Sequence, residues 1–450
     1  MANVRAFFKP RKSAKPSRPA ARARKAAEMI EVSRWTLVVL ILFVAVLVLL
    51  LFSVVHQRKT SVSVPDIESF AEALPSITGM TGVSVIPGNR VQVLQNGDQF
   101  FPALLSDIAA AKQTIDIETY VWWRGEICAR VAGALAAKAR QGVEVRLTVD
   151  AFGAHLMDNR LAAEMRAAGV RILAYHPLAW NSLGLINNRT HRKVAVFDGR
   201  VGHIFGLGIA EEWTGHAQDA RHWRDTGLRL EGPIAGALQG VFAENWVEGT
   251  GEVLVGEKYF PRPVAAGTVR VHVEASSPHG GVSDLELLLK MAIASAQKEV
   301  IIENPYFIPN QDLVALLGRA VRRGVDVKLL LPGPVSDSKL VEHAGHYHYD
   351  ELLRKGIKIY EFQPTLNHQK IMIVDGLWSL VGSTNLDDRS IYINDEASVG
   401  VIDAGVAGEL KAAFARDLQR AVRILPAAWA RRGLWDRFLD RTCYAVNMEI

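Results

Sequence analysis

Cysteine is nearly absent from this sequence. Cys128 and Cys443 are the only two in 450 residues. That excludes a disulfide framework and a four-thiolate zinc site, and it leaves the redox compartment open. Strong compositional bias is also lacking. Hydrophobic residues make up 49% and charged residues 22%, so disorder, a collagen-like repeat and a coiled coil are excluded as the main architecture. The body has no basic excess either. The net charge of +5 comes from residues 1–34, where ten Lys and Arg face only Glu28 and Glu31. The remainder is slightly acidic, which argues against a nucleic-acid binder, whose folded domain should itself be basic. The length is about two to three times that of a typical domain.

What is present begins with a long apolar run. Trp35 to Val55 is 21 residues without a charge. About 20 apolar residues cross a bilayer as a helix, and a buried core helix would alternate with polar positions, as this run does not. A transmembrane helix is expected at 35–55. A cleaved signal peptide fits less well, because the run is long and no small-residue cleavage box follows. The basic arm outweighs Arg58 and Lys59 beyond the run. That keeps the arm cytoplasmic and sends the body to the outer face of the cell membrane, the periplasm in a bacterium with two membranes. The arm is expected to be disordered, with contact to anionic lipid as an option.

The body is an internal duplication. Gln113–Tyr120 matches Gln297–Asn304, Gly142–Val149 matches Gly324–Leu331, Gly169–Tyr175 matches Gly356–Phe362, and His191–Asp198 matches His368–Asp375. So long a period means two domain-sized copies rather than a solenoid. Phe101–Lys112 and Leu285–Gln297 read as amphipathic helices, Val143–Val149 and Val325–Leu331 as strands, and Arg160–Ala168 and Leu340–Arg354 as helices. This alternation predicts an α/β fold with a parallel or mixed sheet covered on both faces. The expected boundaries are an arm at 1–34, the span at 35–55, a loose linker at 56–89, one copy at 90–262, the second at 263–420 and a basic tail at 421–450. The seam is placed in Pro261–Gly267. The tail could be an amphipathic helix at a lipid interface or could pack on the body.

Each copy holds a His-x-Lys-x4-Asp triplet: His191, Lys193 and Asp198, then His368, Lys370 and Asp375. On a strand, His and Lys two apart project from one face. An imidazole and an ammonium together suit a phosphate, and two imidazoles supply the nucleophile and the general acid of a double displacement at phosphorus. After the second triplet comes Gly382-Ser383-Thr384-Asn385. There Ser383 and Asn385 could donate to the phosphate and small residues would let the backbone approach. Glu396 could hold the ring of His368 in one tautomer. The first copy has Gly206 and Gly208 at the corresponding places, where backbone N–H groups could substitute.

These residues resemble the phospholipase D superfamily with its paired motifs, and more narrowly the bacterial cardiolipin synthases, over about residues 90–420. Thr119–Trp123, Asn188–Lys193, His222–Thr226, Leu230–Pro233 and Asn304–Phe307 share in the resemblance. It implies two α/β/α sandwich domains. It also implies a phosphohistidine on one histidine, assigned by analogy to His191, with His368 as acid and base. Lys193, Lys370 and Asn385 would bind phosphate, and Asp225 and Glu396 would orient the two histidines. Asp198 and Asp375 complete the triplets and would more often support the fold than touch substrate. No metal or cofactor is called for.

The leading expectation is a membrane-anchored transferase that joins two phosphatidylglycerols into cardiolipin and glycerol. A phospholipase D hydrolase forming phosphatidic acid shares its chemistry up to the phosphohistidine. A nuclease is disfavoured by the acidic body and the span, and a binding protein with a dead site by two intact triplets. Among the other histidines, His343, His346 and His348 lack a clear third metal ligand, and His346 is a candidate head-group contact. His176 and His203 have no argued role. Trp122, Trp123 and Trp180 are expected to be core rather than lipid-binding.

Overall fold

The computed structural model describes residues 34–47, 61–177, 187–277 and 282–445, with a few isolated positions before residue 34. Most of the basic arm, the second part of the apolar run, the first linker residues and Trp180 lie outside the described residues. Two units are described separately, 1–60 and 61–450. In the first, residues 34–47 form helix α1. Among the described residues no helix is long and apolar enough to cross a membrane.

In the second unit, the first half runs α2 (Phe70–Thr81), β1 (Ile86–Gln95), α3 (Asn96–Ala110), β2 (Thr114–Thr119), α4 (Glu126–Arg140), β3 (Glu144–Asp150), α5 (Asn159–Ala167), β4 (Arg171–Tyr175), β5 (Val194–Phe197), β6 (Val201–Phe205), β7 (Thr226–Glu231) and α6 (Ile234–Thr250). The second half runs β8 (Val269–Ser276), α7 (Asp284–Ala294), β9 (Glu299–Glu303), α8 (Gln311–Arg322), β10 (Asp326–Pro332), α9 (Lys339–His346), α10 (Tyr349–Arg354), β11 (Lys358–Phe362), β12 (Ile371–Val374), β13 (Trp378–Gly382), α11 (Asp388–Tyr392), β14 (Glu396–Ile402) and α12 (Ala404–Leu418). After them come β15 (Ala421–Arg423), α13 (Pro426–Trp429) and α14 (Leu434–Tyr444).

The strands form one mixed sheet in the order β15-β11-β10-β9-β12-β13-β14-β8-β1-β7-β6-β5-β2-β3-β4. Read outward from the β8–β1 pair, each half repeats the other strand for strand, except that β15 at the outer edge of the second half has no counterpart in the first. β2, β3 and β4 are parallel, as are β9, β10 and β11, and the remaining pairs are antiparallel. Two large apolar clusters and a small one around Ile308, Val341 and Ala344 lie within the halves, and a further large one is shared. Val194, Val196, Ile204 and Leu228 from one half meet Ile301, Ile371, Ile373 and Val399 from the other, under α6 and α12. The helices follow from local chemistry. In α8, the Asn310 side chain accepts the Leu313 N–H at the N-cap, Leu313, Val314, Leu316, Leu317 and Ala320 are buried, and Arg319 and Arg322 lie in the last turn, where cations complement the helix dipole.

Two expectations change. The segment read as a loose linker contains α2 and the start of β1. Ser69 caps α2, Gly82 ends it at φ 67°, and Phe70, Ala73 and Ile77 join the core of the second half. The single helix expected at Leu340–Arg354 is two, α9 and α10, parted at Tyr347 and His348. The rings of both residues pack on Tyr444 of α14, with centroids at 4.1 and 4.8 Å.

Candidate active site

Each motif histidine sits just before a short buried strand, His191 before β5 and His368 before β12. The residues in front of them pair across the two halves. Thr190 bridges Asp395, and Asn367 bridges Arg224. The His191 N–H donates to the Asp395 carbonyl at 2.8 Å, and the His368 N–H to the Arg224 carbonyl at 2.8 Å. The next residue in each bridging segment is the carboxylate. His191 Nδ1 lies 2.9 Å from Glu396 Oε1, and His368 Nδ1 lies 2.7 Å from Asp225 Oδ2. The pairing is therefore crossed. Glu396 orients His191, not the histidine of its own half, and Asp225 orients His368. A carboxylate on Nδ1 fixes the tautomer and leaves Nε2 to meet a substrate.

The two lysines complete the site. Lys193 Nζ donates to the His191 carbonyl at 2.9 Å, and Lys370 Nζ to the His368 carbonyl at 2.7 Å. Lys370 Nζ also lies 2.9 Å from His368 Nδ1 and 3.1 Å from Nε2. Burial, then Lys370, push the Lys193 ammonium down to about 7. Burial pushes Lys370 down to about 8. His191 is lowered to about 4, first by burial and then by both lysines against the pull of Glu396. His368 is lowered to about 3 by burial, Lys370 and Lys193. Burial would raise the Glu396 carboxyl, but His191, Lys193 and the Ser383 hydroxyl hold it low. The two imidazoles are therefore neutral in the free site, and the positive charge of this buried centre comes from the two lysines, whose ammonium forms a phosphate diester would favour.

The other expected site residues divide. Asp198 accepts from the backbone N–H of Lys112, Gln113 and Thr114 at 2.7–2.9 Å. Asp375 does the same for Gln297, Lys298 and Glu299 at 2.7–3.0 Å. Both lie at positive φ, 52° and 54°, followed by Gly199 and Gly376 at 61° and 64°. Their carboxylates tie a hairpin turn to the start of the neighbouring strand and do not face the imidazoles. Ser383, expected on the phosphate, donates instead to Glu396. Gly206 does not offer its N–H, which donates to the Thr226 carbonyl. A Cβ at Gly206 would lie 2.2 Å from Asp225 Oδ1, and one at Gly208 would lie 2.8 Å from Trp213 and Val121. The two glycines make room for a carboxylate and an indole. Asn385 is buried with its Oδ1 unpaired among the described residues; that acceptor suits a substrate hydroxyl, and the Nδ2 amide is the group able to donate to phosphate.

Several contributors were not assigned from sequence. Trp213 Nε1 donates to Asp225 Oδ2 at 3.0 Å, the counterpart of Ser383 on Glu396. Tyr120 stands edge-on to His191 at 5.1 Å, and Trp213, Trp223 and Tyr306 lie 5.1, 5.8 and 6.5 Å from His368. Tyr120, Trp223 and Tyr306 lie in the stretches Thr119–Trp123, His222–Thr226 and Asn304–Phe307 that share in the family resemblance, which was the signal available, whereas Trp213 lies in none of them. Trp122 is fully buried in the core, while Trp123 is partly buried and donates to the Gly153 carbonyl. His343 and His346 come together with Asp440, the third group that spacing did not supply. Arg432 also engages Asp440, at 2.8 Å, so the cluster is held as an ion pair. His346 packs on Tyr349 and Trp429. His203 and His176 bind Asp107 and Glu248.

The chain is similar to known proteins in sequence and in fold. The family model described as cardiolipin synthase, PLD-like domain, matches residues 104–209 and 289–418. A probable cardiolipin synthase of Bacillus subtilis is 35% identical over 78% of this chain and 70% of its own length. Cardiolipin synthase A of Pseudomonas aeruginosa is 33% identical over 79% and 72%, and cardiolipin synthase 1 of Bacillus anthracis is 30% identical over 86% and 77%. The crystal structure of phosphatidylserine synthase from Haemophilus influenzae superposes with a TM-score of 0.65 at 13% identity, covering 85% of this chain and all of that one, which establishes the fold. The chain belongs to the cardiolipin synthase family of phospholipase D-like proteins.

Proposed function

We propose that this protein is a phosphatidyltransferase that joins two phosphatidylglycerols into cardiolipin and glycerol. The observation that carries the reading is the crossed pair of carboxylate-held imidazoles around two buried lysines, in a chain with cardiolipin synthase relatives. His191 Nε2 attacks the donor phosphorus, a P–N bond forms, and the P–O bond to glycerol breaks. His368 gives its proton to the departing glycerol oxygen. It takes up that proton when the anionic phosphate enters, because an added negative charge raises an imidazole's affinity for a proton. The acceptor's glycerol hydroxyl then loses its proton to His368 and attacks the same phosphorus, breaking the P–N bond. Lys193, Lys370 and Asn385 hold the phosphate oxygens, and the surrounding aromatics limit entry of water.

The residues from 90 to 262 and from 263 to 420 are read as the two phospholipase D-like domains, supported by the strand-for-strand repeat. The apolar run 35–55 is read as a membrane span that places the body on the outer side of the cell membrane. The test is incubation of the purified full chain with phosphatidylglycerol in mixed micelles, with lipid products identified by mass spectrometry. Cardiolipin and glycerol are expected, and both are lost in His191→Ala and His368→Ala. Phosphatidic acid without cardiolipin would replace the transferase with a hydrolase.

A further inference from the structure

Two apolar projections stand at the same ends of the strands as the motif histidines, one from each half. After β3 the chain turns through residues 151–156, where Phe152 is 60% exposed and Leu156 is exposed as well. This turn is fixed to the site. Asp150 accepts from the Phe152 and Gly153 N–H groups, and a Cβ at Gly153 would meet the Tyr120 ring at 2.7 Å. Tyr120 in turn packs against His191. In the other half, α14 carries Leu434, Trp435 and Phe438 on its outward face, at 85%, 67% and 57% exposure. Trp435 and Phe438 stack at 5.4 Å. The inward face of α14 packs on α9, with Cys443 and Tyr444 in one cluster with Tyr306, the ring that faces His368.

Charge on α14 and the turn just before it follows the same division. Arg431, Arg437 and Arg441 are exposed, whereas Asp440 is buried between Arg432 and His343. Asp436, the other acid of α14, is half-buried. Single exposed apolar residues are ordinary on a protein surface. Large aromatics flanked by arginines on one helix face are what lies in a headgroup layer, where each basic side chain near an anionic membrane adds attraction.

We propose that α14, with Phe152 and Leu156 across the site mouth, seats the active site on an anionic phospholipid bilayer. The substrate headgroup then reaches the paired histidines without leaving the lipid surface. This rests on the lipid substrate class proposed above, but it is a second attachment, separate from the apolar run 35–55.

The test uses the full chain reconstituted into vesicles of phosphatidylglycerol and phosphatidylcholine. Phe438→Cys in a Cys443→Ser background is labelled with an environment-sensitive fluorophore. Cys128 does not interfere, because burial pushes its thiol up to about 12. Glu257→Cys is the control. Glu257 is exposed, close to Tyr259, which binds Glu144 at the opposite end of β3. Quenching of the label at 438 by doxyl lipids, without quenching at 257, is expected. No quenching at 438 overturns the proposal whether or not the protein makes cardiolipin. As a second measurement, Trp435→Ser/Phe438→Ser should lose about tenfold or more of its activity on vesicles and keep its activity on monodisperse short-chain phosphatidylglycerol. Equal activity of variant and wild type on vesicles, or equal loss on both substrates, also overturns it. A wild type that makes no cardiolipin from either substrate would instead sink the functional reading.

Discussion

In the free site neither motif imidazole carries a proton at neutral pH. Burial and the two lysines hold His191 near 4 and His368 near 3, so both are poised as nucleophile or base until an anion arrives. The unfolded chain binds protons at these histidines near pH 6.5 and the folded chain only near 4 and below. Over that window the unfolded state holds more protons, so stability falls as pH drops. The urea midpoint is therefore expected to be lower at about pH 5 than at about pH 7, with a smaller fall in the His191→Asn/His368→Asn protein. The crossed pairing makes a second prediction. Glu396→Gln and Asp225→Asn should each lower kcat by about a hundredfold or more. Histidine NMR should show the ring of His191 disturbed only in Glu396→Gln and that of His368 only in Asp225→Asn. The residue types at the site were legible because a repeated His-x-Lys pattern has few other uses. The partner of each was not, because the contacts span 205 and 143 residues of sequence and only the folded bridges bring them together.

At the level of the element, the motif aspartates belong to the hairpins. Asp-Gly supplies two consecutive residues at positive φ, as the turn requires. The carboxylate adds three backbone hydrogen bonds to the next strand. Asp198→Ala is expected to cost about 2–4 kcal/mol of stability, measured by chemical denaturation, while the surviving folded protein keeps its activity per molecule. Asp198→Asn should be milder, because Asn tolerates the left-handed region and keeps an acceptor. The Asp-Gly turn between two apolar runs was a signal the sequence carried. α2 was harder to see. Pro75 and Gly79 lie within it and weaken the helical pattern. Its existence depends on packing Phe70, Ala73 and Ile77 against a core formed by residues more than 200 positions later.

At the level of the whole molecule, the duplication was readable as repeated segments, but the extent of fusion was not. A single sheet crosses from one half to the other at β1 and β8, apolar side chains from both halves share one core, and α2 opens the first half in sequence but packs on the core of the second. Cutting the chain at an engineered protease site in 262–266, where Val264 is exposed, should therefore leave two fragments that copurify and retain activity. Separation of the fragments without denaturant would refute this. The crossed carboxylates also set the order in which the protein becomes competent as it is made. A nascent chain that has passed residue 200 already displays one complete triplet. Yet His191 has no acid to steady it until Glu396 has left the ribosome and β14 has entered the sheet. His368, whose partner Asp225 is made 143 residues before it, can be steadied earlier, so the two histidines are armed in the reverse of their order in the chain and the pair is complete only near the end of synthesis.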